Sequence, residues 1–387
     1  MKVLHFADAH INAVQSGRWD PETGQPVRVM DFLKSLDTIV DTAIEEKVDL
    51  VLFAGDAYKD ANPTPAQQAL FASRILRLEE ARIPTILLVG NHDKTVRNED
   101  HALTEFKTFG TKYIQVVDEI SYLPSTQLWP DFDIICLPWV HKSRLITGQV
   151  IMELEDLIEK MNPNTPNIFL GHCSVVGAEF SSERLVQLGE DLMLPKKLLT
   201  ESDFDYVALG HIHKQQDLNY GNYPPVVYPG SIERVDWGEA GEYKGFVIHE
   251  INKGADKKQW NFHVLDCRPM IDVVVKLEDK EEFYTEIYRA VDEVDDGKDA
   301  PGVMIRIKLQ YPENWAGLIN NQTIEHMFPD AFSVQVVHEP IREGRTRLDL
   351  TQDVAAYAPG ELLEMWMGEK GVEDQEELLS LAKELMI

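Results

Sequence analysis

Leu50-Val51-Leu52-Phe53-Ala54-Gly55-Asp56 decides how this chain is read. Four apolar residues in a row, without alternation, predict a short strand covered on both faces. The Gly-Asp pair that follows turns the chain out of the strand and ends on a carboxylate. The same pattern recurs on either side. Val3-Leu4-His5-Phe6 leads to Asp8-Ala9-His10, and Ile86-Leu87-Leu88-Val89 to Gly90-Asn91-His92-Asp93. Apolar runs over 166–172 and 205–211 end in Gly171-His172 and Gly210-His211-Ile212-His213.

Strands are predicted over 2–8, 49–56, 85–91, 132–138, 166–172 and 205–211. Phe32, Leu36, Ile39, Val40 and Ala43 recur with the spacing of one apolar helix face. Thr64-Pro65 opens a second helix with a capping residue and a proline at its first position, and 149–161 gives a third. Strand and helix in alternation predict an α/β core, in which ligands gather beyond the carboxyl ends of strands. Further strands are expected over 225–229, 245–250 and from Trp260 to Leu265. After Cys267-Arg268-Pro269 the texture changes. Alternating strands over 271–276 and 303–309 bracket an acidic helix over 280–296 and a loop, Asp295-Asp296-Gly297-Lys298-Asp299, and 333–338 closes the set. This predicts a small α+β domain. The tail, 343–387, is charged and helical. Ala358-Pro359-Gly360 starts one helix, Gly371 separates it from another, and Leu378, Leu381, Ala382 and Leu385 form an apolar stripe.

Composition bounds the possibilities. A chain of 387 residues, 44% apolar, fits a globular protein of two or three domains. No apolar run is long enough for a transmembrane helix, and the N-terminus lacks the basic and apolar regions of a secretory signal. The expected location is the cytoplasm, in association with the nucleoid. Cys136, Cys173 and Cys267 form no CxxC pair and read as small buried hydrophobes. Cys173 follows His172, but a thiolate suits a softer metal site than carboxylates and imidazoles make. Lys and Arg number 37 against 66 Asp and Glu, a net charge of −29. That argues against strong stand-alone affinity for nucleic acid, though not against phosphodiester chemistry.

The strand-end residues are of the types that hold metal ions. In a strand, Asp8 and His10 would face one side and reach one ion. Asp56 has two oxygens and can bridge two cations, Asn91 offers a neutral oxygen, and His172, His211 and His213 offer imidazole nitrogens. Seven ligands of mixed oxygen and nitrogen fit two ions of Mn, Fe or Zn. Two such ions clamp a phosphate and lower the pKa of a water that attacks phosphorus. His92 is the candidate general acid for the departing oxygen, and Asp93 the carboxylate expected to orient it.

These motifs resemble the calcineurin-like metallophosphoesterases, and more closely the SbcD family of DNA double-strand-break repair nucleases. The closer likeness rests on Tyr228-Pro229-Gly230-Ser231-Ile232-Glu233-Arg234 with Val235-Asp236-Trp237-Gly238-Glu239, and more loosely on Leu362-Leu363-Glu364-Met365-Trp366 with Lys370-Gly371-Val372. The resemblance implies a two-sheet sandwich flanked by helices over 1–266, a small capping, DNA-binding domain over 267–342, and a helical segment over 343–387 that binds a coiled-coil ATPase partner of the SbcC kind. It implies two Mn(II) ions per chain, with Mg, Fe or Zn as alternatives. Asp8, His10, Asp56 and His213 would hold one ion, and Asp56, Asn91, His172 and His211 the other, with His92 catalytic. It further implies 3′–5′ exonuclease activity on duplex ends, endonuclease activity on hairpins or single strands, and a homodimer. Some relatives carry a second histidine where Lys59 stands, so Lys59 reads as a phosphate contact or a solvated lysine. Ser231 and Arg234 are the other candidate substrate contacts. Two further functions fit the chain: a phosphatase or cyclic-nucleotide phosphodiesterase on the same scaffold, which the acidic charge favours, and a non-catalytic architectural subunit, which the intact ligand set disfavours.

Overall fold

The structure is a computed structural model that describes residues 1–387 except 14–17, 95–100, 126–131, 141–147, 182–191, 252, 254–259, 296–301, 342–358, 371–377 and 380–387. It divides into two compact units. The first comprises Met1–Val273, Val291–Arg306 and Phe328–Gln335, and the second Val274–Ala290, Ile307–Met327 and Val336–Ile387.

The first unit is built on two six-stranded sheets. Its strands are β1 (Lys2–Phe6), β2 (Leu50–Phe53), β3 (Thr85–Leu88), β4 (Ile114–Val117), β5 (Ser121–Leu123), β6 (Asp133–Leu137) and β7 (Asn167–His172). There follow β8 (Ser174–Val175), β9 (Met193–Leu194), β10 (Tyr206–Gly210), β11 (Gln216–Asp217), β12 (Val226–Tyr228), β13 (Gly245–Glu250) and β14 (Trp260–Val264). One sheet runs β14-β13-β1-β2-β3-β4, the other β11-β12-β10-β7-β6-β5, and β8 pairs with β9. β1 to β4 are parallel, as are β6, β7, β10 and β12, while β13, β14, β5 and β11 lie antiparallel to their neighbours.

Side-chain alternation explains the layers, since successive strand residues point to opposite faces. Leu4, Phe6, Val51 and Phe53 join a core with Phe32, Leu36, Ile39 and Val40 of α1 (Val27–Glu45) and Phe71 and Ile75 of α2 (Pro65–Glu80). Their alternates Val3, Leu50 and Leu52 join Ile134, Cys136, Ile168, Leu170 and Ala208 in a core shared by strands of both sheets. Ile135, Leu137, Phe169, Val207 and Leu209 turn the other way, onto Val150 and Leu154 of α4 (Gln149–Ile158) and Leu199 of α5 (Lys196–Thr200), the short α3 (Glu105–Thr108) lying earlier in the chain. Both faces of each sheet are therefore apolar, which is why the strand sequences are near-continuous hydrophobic runs. This is the expected α/β two-sheet architecture flanked by helices.

A three-stranded sheet follows in the order β15 (Met270–Lys276), β16 (Met304–Pro312) and β17 (Ser333–Ile341). Within the second unit β16 buries Ile307, Leu309 and Tyr311 on alternate positions, and α6 (Phe283–Asp295) buries Phe283 and Ile287 one turn apart. The same unit carries α7 (Asn321–His326), α8 (Pro359–Lys370) and a short 3-10 helix over Glu313–Leu318. Of the predicted tail stripe only Leu378 lies among the described residues, where it is exposed.

Candidate metal centre

The five motifs meet beyond the carboxyl ends of β1, β2, β3, β7 and β10. The first three strands stop earlier than the sequence suggested, whereas β7 runs to His172 as predicted. β1 ends at Phe6 and β2 at Phe53, so Asp8, His10 and Asp56 stand on loops rather than in strands. All three have positive φ (53°, 41° and 61°), as does His211 at 98°. Strand alternation therefore does not bring Asp8 and His10 to one point. Positive-φ residues on either side of Ala9 do, a conformation that is sterically costly outside glycine and gathers at functional sites. The loops are stitched together by Asp8 N–H to Gly55 O (2.9 Å), His10 N–H to Asp56 O (3.1 Å) and Ile11 N–H to Ala57 O (3.0 Å). Glycine permits the close approach. A Cβ on Gly55, where φ is +97°, would collide with the His172 ring, and one on Gly90 with the Asp56 carboxylate.

The candidate ligands form a buried cluster. The ligating atoms of Asp8, His10 and His213 lie within 4.8 Å of one another, and so do those of Asp8, Asp56 and His172. Asp56 Oδ2 sits 3.8 Å from His10 Nε2 and 3.5 Å from His172 Nε2, between the two groups. Asn91 Oδ1 lies 2.8 Å from His172 Nε2 and 3.0 Å from His211 Nδ1. Cys173 belongs to neither group.

The hydrogen bonds of this cluster suit it to cations. His10 Nδ1 faces Tyr58 O (3.3 Å), His213 Nδ1 faces a Glu239 carboxylate oxygen (2.7 Å), and His172 Nδ1 faces Ala54 O (2.6 Å). These partners only accept, so each Nδ1 carries a proton, and each ring when neutral turns a bare Nε2 lone pair inward. His10 Nε2 and His213 Nε2 then confront each other at 3.0 Å, and His172 Nε2 confronts the Asn91 oxygen. Lone pairs opposed at such distances in a dry site repel unless a proton or a metal ion lies among them. In the ion-free protein a proton serves at His172, where burial opposes it but Asp56 prevails and pushes the ring up to about 9; His10 takes none, because burial and the neighbouring His213 push it well below the ordinary range. Burial likewise works against Asp56, yet His172 and His92 hold its carboxyl well below the usual range. Asp8 goes the other way, to about 6, raised by burial against the pull of His213 and His172.

His92 sits half-buried beside the cluster, its ring edge-on to His10 with centroids 5.1 Å apart. Its backbone N–H donates to Asp56 Oδ1 (2.8 Å), and its Nδ1 lies 2.7 Å from Lys59 O. Nε2 is thus the atom left for a substrate. Burial, aided by the Lys59 charge and opposed by Asp56, lowers the pKa of His92.

Three expectations need correction. Asp93 does not orient His92, because the Lys59 carbonyl does. The Asp93 carboxylate instead accepts backbone N–H groups from Gly90 (2.9 Å), Asp56 (3.0 Å) and Ala57 (2.9 Å), tying the β3 loop to the β2 loop. Ser231 is fully buried and its hydroxyl donates to Glu239 Oε2 (3.2 Å), so it braces the site rather than facing a substrate. Arg234 directs its guanidinium to the backbone oxygens of Ala240 (3.2 Å), Arg268 (3.0 Å) and Glu242 (3.0 Å), a bracket within the fold rather than a phosphate fork. Lys59 is part-exposed, and its ammonium is near enough to act electrostatically on both His10 and His92.

Sequence reasoning missed Glu239 and Lys244, both fully buried and 2.8 Å apart as an ion pair. Glu239 appeared only as the end of a charged loop string, and nothing in that string tells a buried carboxylate from a solvated one.

Residues 1–215 match the family model of the calcineurin-like phosphoesterases. Among solved structures the chain is similar to a dimetal phosphatase from Danio rerio, with TM-score 0.41, 11% identity, and 65% of this chain and 93% of that one covered. It is similar to the protein TT1561 of Thermus thermophilus, with TM-score 0.39, 14% identity, and coverage of 67% and 98%. It is also similar to the purple acid phosphatase PPD1 of yellow lupin (Lupinus luteus) seeds, with TM-score 0.43, 17% identity, and coverage of 68% and 52%.

Proposed function

The chain belongs to the calcineurin-like phosphoesterases, and on that footing we propose that it is a manganese-dependent DNA nuclease, working 3′–5′ on duplex ends and cutting hairpins or single strands. The hydrolytic part is carried by one observation: inward-turned imidazole nitrogens and carboxylates meet where they repel without cations. Two divalent ions held there would polarise a phosphoester and acidify an attacking water. Asp8, His10, Asp56, Asn91, His172, His211 and His213 would hold them. His92 Nε2, turned away from its carbonyl anchor, is the atom that would face the departing oxygen, and it would hand over a proton from the doubly protonated ring.

DNA as the substrate is supported by Tyr228–Glu239, the string that resembles the SbcD nucleases, and by the further elements that follow β14. In this reading residues 1–266 cut, 267–342 cap and contact DNA, and 343–387 dock on a coiled-coil ATPase, with homodimers forming in the cytoplasm at the nucleoid. Described residues of the tail leave Met365, Trp366 and Leu378 exposed, and among described residues no helix is long and apolar enough to cross a membrane.

The test compares His92→Ala with wild type on hairpin and duplex DNA in Mn(II), with bound metal quantified. The variant should keep two ions and lose about 10²–10⁴-fold in cleavage. Wild-type protein that degrades no DNA, with or without an ATPase partner, would end the nuclease reading. The net charge of −29 favours a second one, a phosphatase or phosphodiesterase of small substrates. Turnover of a small phosphodiester far above DNA cleavage would select it.

A further inference from the structure

The four ring-anchored histidines of the centre are not backed alike. Among described residues, Nδ1 of His10 faces Tyr58 O, that of His172 faces Ala54 O and that of His92 faces Lys59 O. These are neutral carbonyls. His213 alone of the four is backed by a carboxylate, Glu239 Oε1 at 2.7 Å. That carboxylate is fully buried, and its second oxygen accepts from Val235 N–H (3.0 Å), Ser231 Oγ (3.2 Å) and Lys244 Nζ (2.8 Å). Lys244 is buried as well. Its ammonium also donates to the backbone oxygen of His213 (3.1 Å) and to Glu242 Oε2 (2.8 Å). Ser231 N–H reaches the same His213 oxygen (3.2 Å). One segment, Ser231 to Lys244, therefore clamps His213 at ring and backbone.

Burying an ion pair is expensive in desolvation and is seldom a net gain in stability over apolar packing. The arrangement does confer a specific electronic effect. A carboxylate on Nδ1–H makes the opposite nitrogen a stronger donor and fixes its tautomer and direction, whereas a carbonyl does so more weakly. We propose that Glu239, braced by Lys244, is a positioning residue that makes the two ion positions unequal. The position formed by Asp8, His10 and His213 would hold its ion more tightly through Glu239, and the position that includes His172 would be indifferent to it. This rests on the two-ion reading above, and the experiment keeps the two claims apart.

Mn(II) is titrated into metal-free wild type and Glu239→Gln, with free Mn(II) followed by electron paramagnetic resonance. Thermal stability of the metal-free proteins is recorded alongside. Glutamine keeps the shape and one acceptor oxygen but removes the charge. The variant should bind one ion as wild type does and the other about 10–100-fold more weakly, the usual effect of losing such an outer partner. Glu239→Asp, which restores the charge, should recover part of the lost affinity. Should the loss of one of its two carboxylate partners at Lys244 prevent Glu239→Gln from folding, Glu239→Gln with Lys244→Met removes both charges of the Glu239–Lys244 pair and reads the same quantity. Equal weakening of both ions, or of neither, overturns the proposal and leaves Glu239 a purely structural residue. Wild type that takes up fewer than two ions overturns the two-ion reading itself.

Discussion

Asp93 and His92 are neighbours in sequence with opposite physical tasks. Removing the Asp93 side chain strands four buried N–H groups, from Gly90, Asp56, Ala57 and Tyr58, and each unsatisfied donor costs about 1–3 kcal/mol. The loss is offset in part because burial, with help from Asp56, already raises the Asp93 carboxyl to about 7. Asp93→Ala should still destabilise metal-free protein by about 3 kcal/mol or more in urea unfolding. His92→Ala, half-buried with one bond from its ring to a carbonyl, should cost about 1 kcal/mol. Equal losses would contradict this division of labour. His5 supplies a pH-dependent term. Its imidazole lies between the sheets, bonded at Nδ1 to Tyr206 Oη (2.9 Å), and burial pushes it down from 6.5 to about 3 despite a backbone bond to Leu209. A depressed pKa means the folded protein refuses a proton that the unfolded chain accepts. The associated stability is whole above pH 6.5 and is lost as pH falls toward 3, by about 2 kcal/mol between pH 7 and pH 5. His5→Leu should flatten that part of the acid slope, measured as unfolding free energy at the two pH values. An unchanged slope would show that His5 does not carry it.

The elements most legible in the sequence are those whose residues are apolar on both faces or periodic on one. β2 and β3 are continuous hydrophobic runs because each face meets its own core. α1 is legible because Phe32, Leu36, Ile39 and Val40 all enter one core. β4 and β5 are not legible in the sequence: they are short edge strands, β4 buried only at Ile114 and Val117 and β5 half-buried throughout, whose pairing, not whose pattern, makes them strands. The ligand types were legible at strand ends, but their convergence depends on left-handed loop residues and on carbonyl partners at Ala54, Tyr58 and Lys59, and a backbone oxygen has no letter in a sequence. The start of α2 was legible in Thr64 and Pro65, and the structure adds Gln67 to the cap. Thr64 accepts from Gln67 N–H (3.3 Å), and Gln67 Oε1 accepts in return from Thr64 N–H (2.9 Å), a reciprocal cap followed by Pro65. Thr64→Ala should cost about 1 kcal/mol, and circular dichroism should show the helix content retained. A loss of several kcal/mol would mean that Thr64 does something beyond capping.

At the scale of the whole molecule, charge and metal pull against each other. A chain of net charge −29 repels a polyanion at distances beyond any single contact. Two divalent ions would offset only 4 of those 29 charges, and only at the centre. Ordinary DNA-binding proteins lose affinity as salt rises, because binding releases counterions held by the duplex. For this chain acting alone the balance reverses if repulsion between like-charged bodies is the larger effect, since screening weakens that repulsion once separations exceed about 10 Å at 0.1 M salt. Raising ionic strength from about 0.02 to about 0.15 M should therefore lower KM for DNA several-fold. The KM for a small, singly charged diester such as bis(p-nitrophenyl) phosphate should hardly move, because so little charge is brought up to the protein. Both are read from initial rates at fixed Mn(II). A KM for DNA that climbs with salt would instead mean that lysines and arginines are gathered into a basic groove strong enough to outweigh the total.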